Sequence, residues 1–366
     1  MEASRISSQV TTLMTFINCC DNTLTNQALE RRVMRFLRIV AIGLMTLCSP
    51  ASLHAQTPAE YYAQSTLTLI VGYAPGGGYD DIARLIAPKL EHAIGATIFV
   101  QNRPGGGGLN VINNTLDQSE NGLTLTMVNV SAAVTAQLLS SEAARFDVAK
   151  LNWLGAVASD ERVLVLPVKS NIEDLETASN LRWAAGGKTD NLALSACIIS
   201  EAMGLKSKII TGYKGSSEAL LALVRGEADA VVVSGETAVE AVSGLELKIA
   251  AVIGRKRFKS LPDVPTIYEY APKADRALLD QLVQISTLGR ALILPASTST
   301  EKTTFLREKL QQVLSDPAFV AEADRKGRLI QFKSVKNLKQ DVATSMLDKN
   351  PEMKARLIAI TTGKYF

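Results

Sequence analysis

The sequence predicts an α/β protein with two lobes, each a doubly wound, mainly parallel sheet with flanking helices. Short apolar runs alternate with segments of helical periodicity, which is typical of successive βαβ units. The second half then repeats the order of the first, with an apolar run, a glycine-rich turn and a helix. In such sheets ligands bind beyond the carboxyl ends of the strands, where the glycine turns lie. We therefore expect a ligand site in a cleft between the lobes.

The elements follow from these periodicities in chain order. Apolar runs predict strands at 67–71, 97–100, 123–128, 162–167, 181–185, 208–211, 228–233, 247–253 and 286–295. Helical spacing predicts helices from about 80, 108, 132, 192, 218 and 276. A C-terminal helix follows, with Thr300 as its N-cap and Pro317 as its stop. We expect lobe 1 to comprise 56–165 plus 287–366 and lobe 2 to comprise 166–286, joined by two crossing strands.

The N-terminal segment 1–55 predicts an export leader. From Met34 the chain has a basic start, an apolar core at 39–48 and small residues ending at Ala55. This core is far shorter than the ~20 residues that span a bilayer. We therefore expect translation from Met34, cleavage after Ala55 and a periplasmic protein. The alternatives are a genuine extension at 1–33 and lipid attachment at Cys48.

Composition excludes several classes of protein. The 366 residues are 47% hydrophobic with a net charge of +3, which predicts a globular chain and no nucleic-acid surface. Once the leader is removed, Cys197 is the only cysteine of the sequence, so an internal disulfide is impossible. Its position on an apolar helix predicts a buried side chain. His92 is then the only histidine, and no Cys/His cluster has metal spacing. We expect no enzyme, no metal and no cofactor.

The first glycine turn, "GYAPGGGYDD", joins a predicted strand to a predicted helix. Three glycines there, Gly76, Gly77 and Gly78, expose N–H groups at a helix start, which favours an anion. A dinucleotide turn would need glycine at Asp81, and a phosphate loop in "RWAAGGKTD" would need glycine at Arg182. A carboxylate ligand requires neither of these additional glycines. We expect Asp80 or Asp81 to cap the helix. The alternative is that Asp80 binds a ligand amine or an ordered water.

Five segments in this order carry a family resemblance: "LIVGYAPGGGYDDIARLIAPKL", "VQNRPGGGGLNVINN", "GYKGSSEALLALVRGEADAVV", "LPDVPTIYEY" and "LSDPAFVAEADRKG". The chain from about 67 to 330 resembles the substrate-binding proteins of tripartite tricarboxylate transporters, which include the Bordetella uptake gene products. The resemblance implies a two-lobed periplasmic-binding-protein fold of type II, a Venus flytrap. It also implies a small carboxylated ligand and a permease with one large and one small subunit.

The resemblance also implies where one ligand carboxylate is held. The residues that match the two family turns are Gly76, Gly77, Gly78, Tyr79 and Asp80, then Pro104, Gly105, Gly106 and Gly107. Tyr79 stands where a small hydroxyl residue is common, and Asp81 where an apolar one is. Tyr79 therefore either contacts the ligand or faces solvent as a loop side chain.

The other predicted contacts come from later loops. The segment "NVSAAV" offers Asn129 and Ser131 as hydrogen-bond donors. From the opposite side we expect contacts from Asp160, Arg162, Gly187, Lys188, Asn191, Tyr213 and Lys214. A second carboxylate would need one of the cations Arg162, Lys188 and Lys214, each of which is otherwise a solvated side chain.

The predicted function is capture of a small carboxylate by hinge closure and its delivery, by a monomer, to the two membrane subunits. A periplasmic sensor that signals to a partner fits the same cleft. A nucleotide-dependent α/β enzyme is the third possibility, and it needs a phosphate fingerprint that the sequence does not carry.

Overall fold

The computed structural model describes residues 56–118, 122–170, 180–188, 190–347 and 350–366, with Met34 and Thr177 as single residues. The predicted leader after Met34, including Cys48 and the cleavage site at Ala55, lies outside the described residues. The chain divides into two units, and everything below concerns the second, Thr57–Phe366.

Ten strands and thirteen α-helices are assigned within the described residues. The strands are β1 (Thr66–Val71), β2 (Thr97–Asn102), β3 (Thr124–Asn129), β4 (Asn152–Ala158), β5 (Arg162–Pro167), β6 (Leu181–Ala184), β7 (Ser207–Ile210), β8 (Val231–Ser234), β9 (Leu247–Val252) and β10 (Arg290–Leu294). The helices are α1 (Pro58–Ala63), α2 (Gly78–Ile94), α3 (Leu109–Leu116), α4 (Val130–Leu138), α5 (Asn191–Met203), α6 (Ser216–Val224), α7 (Gly235–Val242), α8 (Ile267–Tyr270), α9 (Arg276–Ser286), α10 (Thr300–Leu314), α11 (Pro317–Arg325), α12 (Val335–Ser345) and α13 (Pro351–Ala359). A short 3₁₀ turn at Gly106–Gly108 precedes α3, and a π-helical turn at Ile360–Lys364 follows α13.

The first sheet has five strands in the order β2-β1-β3-β10-β4. Strand β1 runs parallel to β2 and β3, so the carboxyl ends of these three strands share one edge. Strand β10 is antiparallel to β3, and its first residue, Arg290, pairs with Asn129, the last residue of β3. The start of β10 therefore lies at the same edge as the ends of β1, β2 and β3.

The remaining strands form a three-stranded sheet, β8-β5-β9, and a parallel pair, β6-β7. An isolated β-bridge between Trp183 and Ala230 links this pair to the three-stranded sheet, since Ala230 directly precedes β8. The predicted α/β class is confirmed, although β5 runs antiparallel to both neighbours. Strand β5 pairs with β8 and β9 over 162–167. The predicted lobe boundary at 165/166 therefore falls inside this strand.

Apolar side chains cover both faces of the first sheet and surround the second. Helix α2 shows why: Ile82, Ile86 and Leu90, four residues apart, lie on one face and are at most 1% exposed. On α5, Cys197 is fully buried, as predicted, and burial raises the pKa of its thiol to about 12. These cores hold the loop-bearing strand ends in place.

Three local expectations are corrected. Ser299, one residue before the predicted Thr300, is the N-cap of α10, because its hydroxyl accepts from Lys302 N–H at 3.3 Å. Pro317 does not simply stop that helix, which ends at Leu314; it opens α11 in the first turn, where its missing N–H costs nothing. Strand β4 was not predicted, because Asn152 and Gly155 interrupt its apolar run.

Candidate functional site

The first glycine turn leads directly into α2. Gly77 is the N-cap, so neither Asp80 nor Asp81 caps this helix as predicted. The N–H groups of Gly78 and Tyr79, in the first turn, have no acceptor within the helix. They are available to an anion that approaches the helix start, where the helix dipole favours negative charge.

Asp80 braces this turn from inside. Its carboxylate is 3% exposed and accepts hydrogen bonds at 2.9 Å from the Gly76 N–H, Arg84 Nε and Asn102 Nδ2. Burial by itself raises the pKa of Asp80, but these three donors outweigh burial and hold it below its usual value. Asp81 instead pairs with Arg328 at 2.5 Å. The Asp80 carboxylate thus ties the turn to the helix and to β2.

The second glycine turn occupies positive φ throughout, from Gly105 to Gly108, which side-chain-bearing residues rarely adopt. A Cβ added at Gly108 would lie 2.9 Å from the Tyr73 hydroxyl and 3.0–3.1 Å from its ring. The turn therefore needs glycine both for its backbone shape and for the close approach of Tyr73. Pro104 precedes it on the surface.

Tyr73 joins the two turns to the end of β3. Its hydroxyl donates to the Gly107 carbonyl at 2.8 Å and accepts from Asn129 Nδ2 at 3.0 Å. Asn129 is also the N-cap of α4, since its Oδ1 accepts from the Ala132 N–H at 3.0 Å. Burial raises the pKa of Tyr73 to about 12, so the hydroxyl keeps its proton at neutral pH. Tyr73 thus positions three loops together.

Tyr79 faces inward and not toward solvent. Its ring stacks on Tyr73 with centroids 4.4 Å apart, and the Arg290 guanidinium lies 4.7 Å from its ring centre. Among the described residues its buried hydroxyl has no hydrogen-bond partner. Burial raises the pKa of this hydroxyl well above its usual value. The Tyr79 hydroxyl is therefore protonated at neutral pH and free to donate a hydrogen bond.

Asp160 and Arg162 bring a buried ion pair from the connection between the sheets. Asp160 Oδ2 accepts from Arg162 Nε at 3.1 Å and Nη2 at 3.0 Å, and the two residues are 3% and 6% exposed. Asp160 Oδ1 and Arg162 Nη1 find no partner within the described part of the chain. Buried polar atoms are usually satisfied, so these two are candidates for ligand contacts.

Asn191, the first residue of α5, reaches across to the first sheet. Its Nδ2 lies 3.4 Å from Asn129 Oδ1, and its own Oδ1 is buried without a partner among the described residues. Asn191 thus reaches Asn129, which is bonded to Tyr73 beside the second glycine turn, and the charges of Asp160 and Arg162 act on the pKa values of Tyr73 and Tyr79.

The other predicted contacts make bonds elsewhere. The Ser131 hydroxyl donates to the Ile285 carbonyl at 2.7 Å and is 1% exposed. The Gly187 N–H donates at 3.0 Å to Asp190, the N-cap of α5. The Lys188 Nζ atom lies 5.1 Å from the ring centre of Phe366.

Tyr213 and Lys214 follow the same pattern. The Tyr213 hydroxyl lies 3.4 Å from Glu227 Oε2. Burial, and to a smaller extent the negative charge of Glu227, raise the pKa of this hydroxyl. The Lys214 backbone N–H donates to Glu218 at 2.6 Å, and the residue is exposed. Tyr213 therefore contacts the segment that follows helix α6, and Lys214 contacts the first turn of α6.

Sequence reasoning missed Tyr73, Arg290 and Glu236. Arg290 is 2% exposed, and its Nη2 lies 3.3 Å from Glu236 Oε2. Burial alone lowers the pKa of Arg290, but Asp160 and Glu236 reverse this and raise it further above its usual value. A signal was present: Arg290 is a charged residue in an apolar strand run, which predicts a buried partner or a functional role.

Metal-binding groups and membrane-spanning helices are both absent from the described residues. None of them form a group of three or more His, Cys, Asp or Glu side chains that could hold a metal ion. Likewise, none of the described helices has the length and apolar character needed to cross a membrane.

Comparisons with known proteins identify the family. The profile described as "Tripartite tricarboxylate transporter family receptor" matches residues 82–357. "UPF0065 protein in gbd 5'region" from Cupriavidus necator is 26% identical over 278 residues, covering 74% of this chain and 80% of that protein. "Protein BugT" from Bordetella pertussis is 26% identical over 243 residues, covering 64% of this chain and 73% of its own length.

Solved structures share the fold. Periplasmic binding protein BugD superposes with a TM-score of 0.65 at 19% identity, covering 81% of this chain and 97% of its own. MatC from Rhodopseudomonas palustris, solved with bound malate, gives 0.63 at 20% identity, covering 81% and 98%. A second R. palustris protein, solved with adipate, gives 0.67 at 20% identity with the same coverage. The predicted periplasmic-binding-protein fold is therefore confirmed.

The profile covers most of the compact unit, including every strand from β2 to β10. The family consists of periplasmic solute-binding receptors and not of enzymes, which agrees with the predicted class. This chain belongs to the tripartite tricarboxylate transporter receptor family.

Proposed function

We propose that this chain is a periplasmic solute-binding protein that captures a small carboxylate between two lobes. It delivers the ligand to a tripartite tricarboxylate-type transporter with one large and one small membrane subunit. The observation that carries the proposal is the junction at Tyr73, whose hydroxyl joins Gly107 to Asn129 while its ring stacks on Tyr79. The junction holds the two glycine turns next to each other, which supports a shared carboxylate site.

One ligand carboxylate binds the glycine turns. The N–H groups at the start of α2 and the turn at Gly105–Gly107 supply donors and a partial positive charge there. Each hydrogen bond to a charged group contributes about 1.5–3 kcal/mol. The malate and adipate in the structures of two family-like proteins are ligands of this class.

The rest of the ligand contacts buried atoms that lack partners among the described residues. Asp160 Oδ1 and Asn191 Oδ1 are acceptors, whereas Arg162 Nη1 and the Tyr79 hydroxyl can donate. This mixed set suits a ligand that carries a hydroxyl or a second acid group beside the first carboxylate.

Capture follows from hinge closure between lobe 1, residues 56–165 plus 287–366, and lobe 2, residues 166–286. The chain passes from β4 to β5 through 159–161 and returns from α9 to β10 through 287–289, so we place the hinge at these two short connections, which moves the first lobe boundary from 165/166 to just before β5. The ligand closes the lobes because it contacts both sides only in the closed form.

The test starts from the full chain expressed in a bacterial host and purified from the periplasm. Mass spectrometry of the purified protein reads its N-terminus, and a start at Gln56 supports the leader. A thermal-shift screen then covers mono-, di- and tricarboxylic acids, aromatic acids, amino acids, ATP and NAD. A ligand at 100 times its Kd stabilises the fold by about 2.7 kcal/mol, which raises Tm by a few degrees.

The variant Gly77→Leu tests the site directly. Gly77 has φ −99°, and a Cβ there would meet only the Ala74 carbonyl, at 3.8 Å, so the fold tolerates a side chain that blocks the helix start. Gly244→Leu is the matched control, because a Cβ at that exposed glycine meets nothing within 4 Å. Loss of the carboxylate shift in the first variant alone supports the proposal. A shift given only by ATP or NAD refutes it.

A further inference from the structure

An ion pair joins elements of the two sheets beside the first glycine turn. Arg290 is the first residue of β10, and Glu236 lies in the first turn of α7, after β8. Both Nη atoms of Arg290 approach Glu236 Oε2, at 3.4 and 3.3 Å. The two side chains are only 3% and 12% exposed. This contact links β10 of the first sheet to α7, which follows β8 of the three-stranded sheet.

The Glu236 carboxylate lies against the start of α2. A Cβ added at Gly78 would lie 3.1 Å from Glu236 Oε2 and 3.1 Å from Arg290 Nη2. Gly78 is the first residue of that helix, whose free N–H groups and dipole stabilise negative charge. A side chain of the protein therefore places a carboxylate at the position where an acidic ligand would be most stable.

The geometry of the pair leaves room for a better partner. One carboxylate oxygen faces both Nη atoms at distances longer than the 2.7–2.9 Å usual for charge-assisted bonds. Arg290 Nε is buried and has no partner among the described residues. The nearby Tyr79 hydroxyl is also buried without a partner in the described part of the chain. A ligand carboxylate could use these donors together with those that Glu236 uses.

We propose that Glu236 is an internal competitor for a ligand carboxylate at Arg290, and that an acidic ligand displaces it on binding. The proposal rests on the proposed function and adds Arg290 and Glu236 as residues that set affinity for acids. In the ligand-free protein Glu236 is the carboxylate that contacts the buried Arg290 guanidinium, and together with Asp160 it balances that charge. When the ligand binds, its carboxylate takes over that role and Glu236 turns toward the water that already reaches it.

Competition of this kind lowers the apparent affinity. The observed Kd equals the intrinsic Kd divided by the fraction of molecules whose Arg290 is free. Removing the Glu236 charge should therefore strengthen acid binding, which is the opposite of what loss of a ligand contact does. Coupling energies within proteins typically change an affinity by about 5-fold or more, and we expect an effect of this order here.

The first experiment compares Glu236→Gln with the wild type by titration calorimetry, using malate, adipate and the acid with the largest thermal shift in the screen. We expect acid binding at least ~5-fold tighter in the variant, with no gain for adipamide, the uncharged analogue of adipate. Glu240→Gln, an exposed carboxylate one turn further along α7, is the matched control and should bind as the wild type does. Unchanged or weaker acid binding by Glu236→Gln overturns the proposal.

A second variant tests Arg290 without leaving a buried charge unpaired. The double variant Arg290→Met with Glu236→Gln should bind acids about 10-fold more weakly than Glu236→Gln alone, because a charge-assisted bond is lost. Equal affinity of the two would overturn the role given to Arg290. Small-angle scattering of the ligand-free proteins adds a readout without ligand, and Glu236→Gln should show a larger radius of gyration than Glu240→Gln.

The outcomes separate the two proposals. If the wild type binds an acid and Glu236→Gln does not bind it more tightly, the competitor is refuted while the solute-binding function stands. If neither protein binds any acid of the screen, both are refuted.

Discussion

Replacing Tyr73 with phenylalanine tests whether one hydroxyl assembles the site. The change keeps the ring that stacks on Tyr79 and removes two hydrogen bonds, one to the Gly107 carbonyl and one from Asn129 Nδ2. Each bond contributes about 0.5–1.5 kcal/mol net, so the two together predict a loss of about 1–3 kcal/mol. Gly107 is exposed and water can replace its lost donor, which places the expected loss in the lower half of that range.

The same change should weaken ligand binding. Without the hydroxyl the second glycine turn is no longer tied to the first or to Asn129, so its order has to be established when the ligand binds. A cost of about 1–2 kcal/mol corresponds to a 5- to 30-fold increase in Kd. Urea denaturation measures the free energy of unfolding, and calorimetry with the acid found in the screen measures Kd.

Tyr62→Phe is the matched control. Tyr62 is fully buried and also donates its hydroxyl to a glycine carbonyl, that of Gly122, at 3.1 Å. It should lose stability like Tyr73→Phe but keep the wild-type Kd, because Gly122 belongs to neither glycine turn. A wild-type Kd for Tyr73→Phe, alongside a normal stability loss for Tyr62→Phe, would refute the role given to Tyr73.

Three further predictions concern stability and reactivity. Gly186→Ala should lower the free energy of unfolding in urea by about 1–3 kcal/mol, because its Cβ would lie 2.6 Å from Asp190 Oδ2 and 2.9 Å from the Tyr213 carbonyl oxygen. Gly187→Ala is the control and should change little, because a Cβ at Gly187 meets nothing within 4 Å. Asp80 has a pKa below its usual value in the folded protein, so it stabilises the fold above pH ~4 and this contribution is lost as the pH falls further. Asp80→Asn should therefore be less stable at pH 7 and show a smaller drop between pH 5 and 3 than the wild type; an equal drop would contradict this assignment. Burial and a pKa of about 12 should keep the Cys197 thiol unmodified by iodoacetamide at pH 8 until urea unfolds the chain, as mass spectrometry would show; rapid labelling of the native protein would contradict its burial.

Local signals in the sequence predicted most of the elements. Alternating apolar runs placed nine strands close to their observed positions, and 162–167 coincides with β5. The glycine-rich turns were predicted where glycines cluster between an apolar run and a segment of helical spacing, and the structure adds that Gly105–Gly108 take positive φ, which glycine permits. The family resemblance, carried by short segments in a fixed order, predicted the receptor family that the profile then showed.

Other features depended on contacts that local patterns do not encode. Gly77 and Gly187 both lie in glycine-rich turns that precede helices. The Gly187 N–H already donates to the Asp190 side chain, whereas at Gly77 no side chain of the N-cap residue bonds the free N–H groups of the helix. Lys188 contacts Phe366, a residue at the far end of the chain. Neither difference is visible in the turn sequences themselves.

The sequence by itself determined the α/β alternation, the glycine turns, the buried Cys197 and the family. The tertiary structure decided which polar groups meet: Tyr73 with Gly107 and Asn129, and Arg290 with Glu236. The physical reason is range. Backbone propensities and apolar periodicity act over a few residues, whereas these contacts join segments 34, 56 and 54 positions apart, and their distances depend on how strands cross between two sheets.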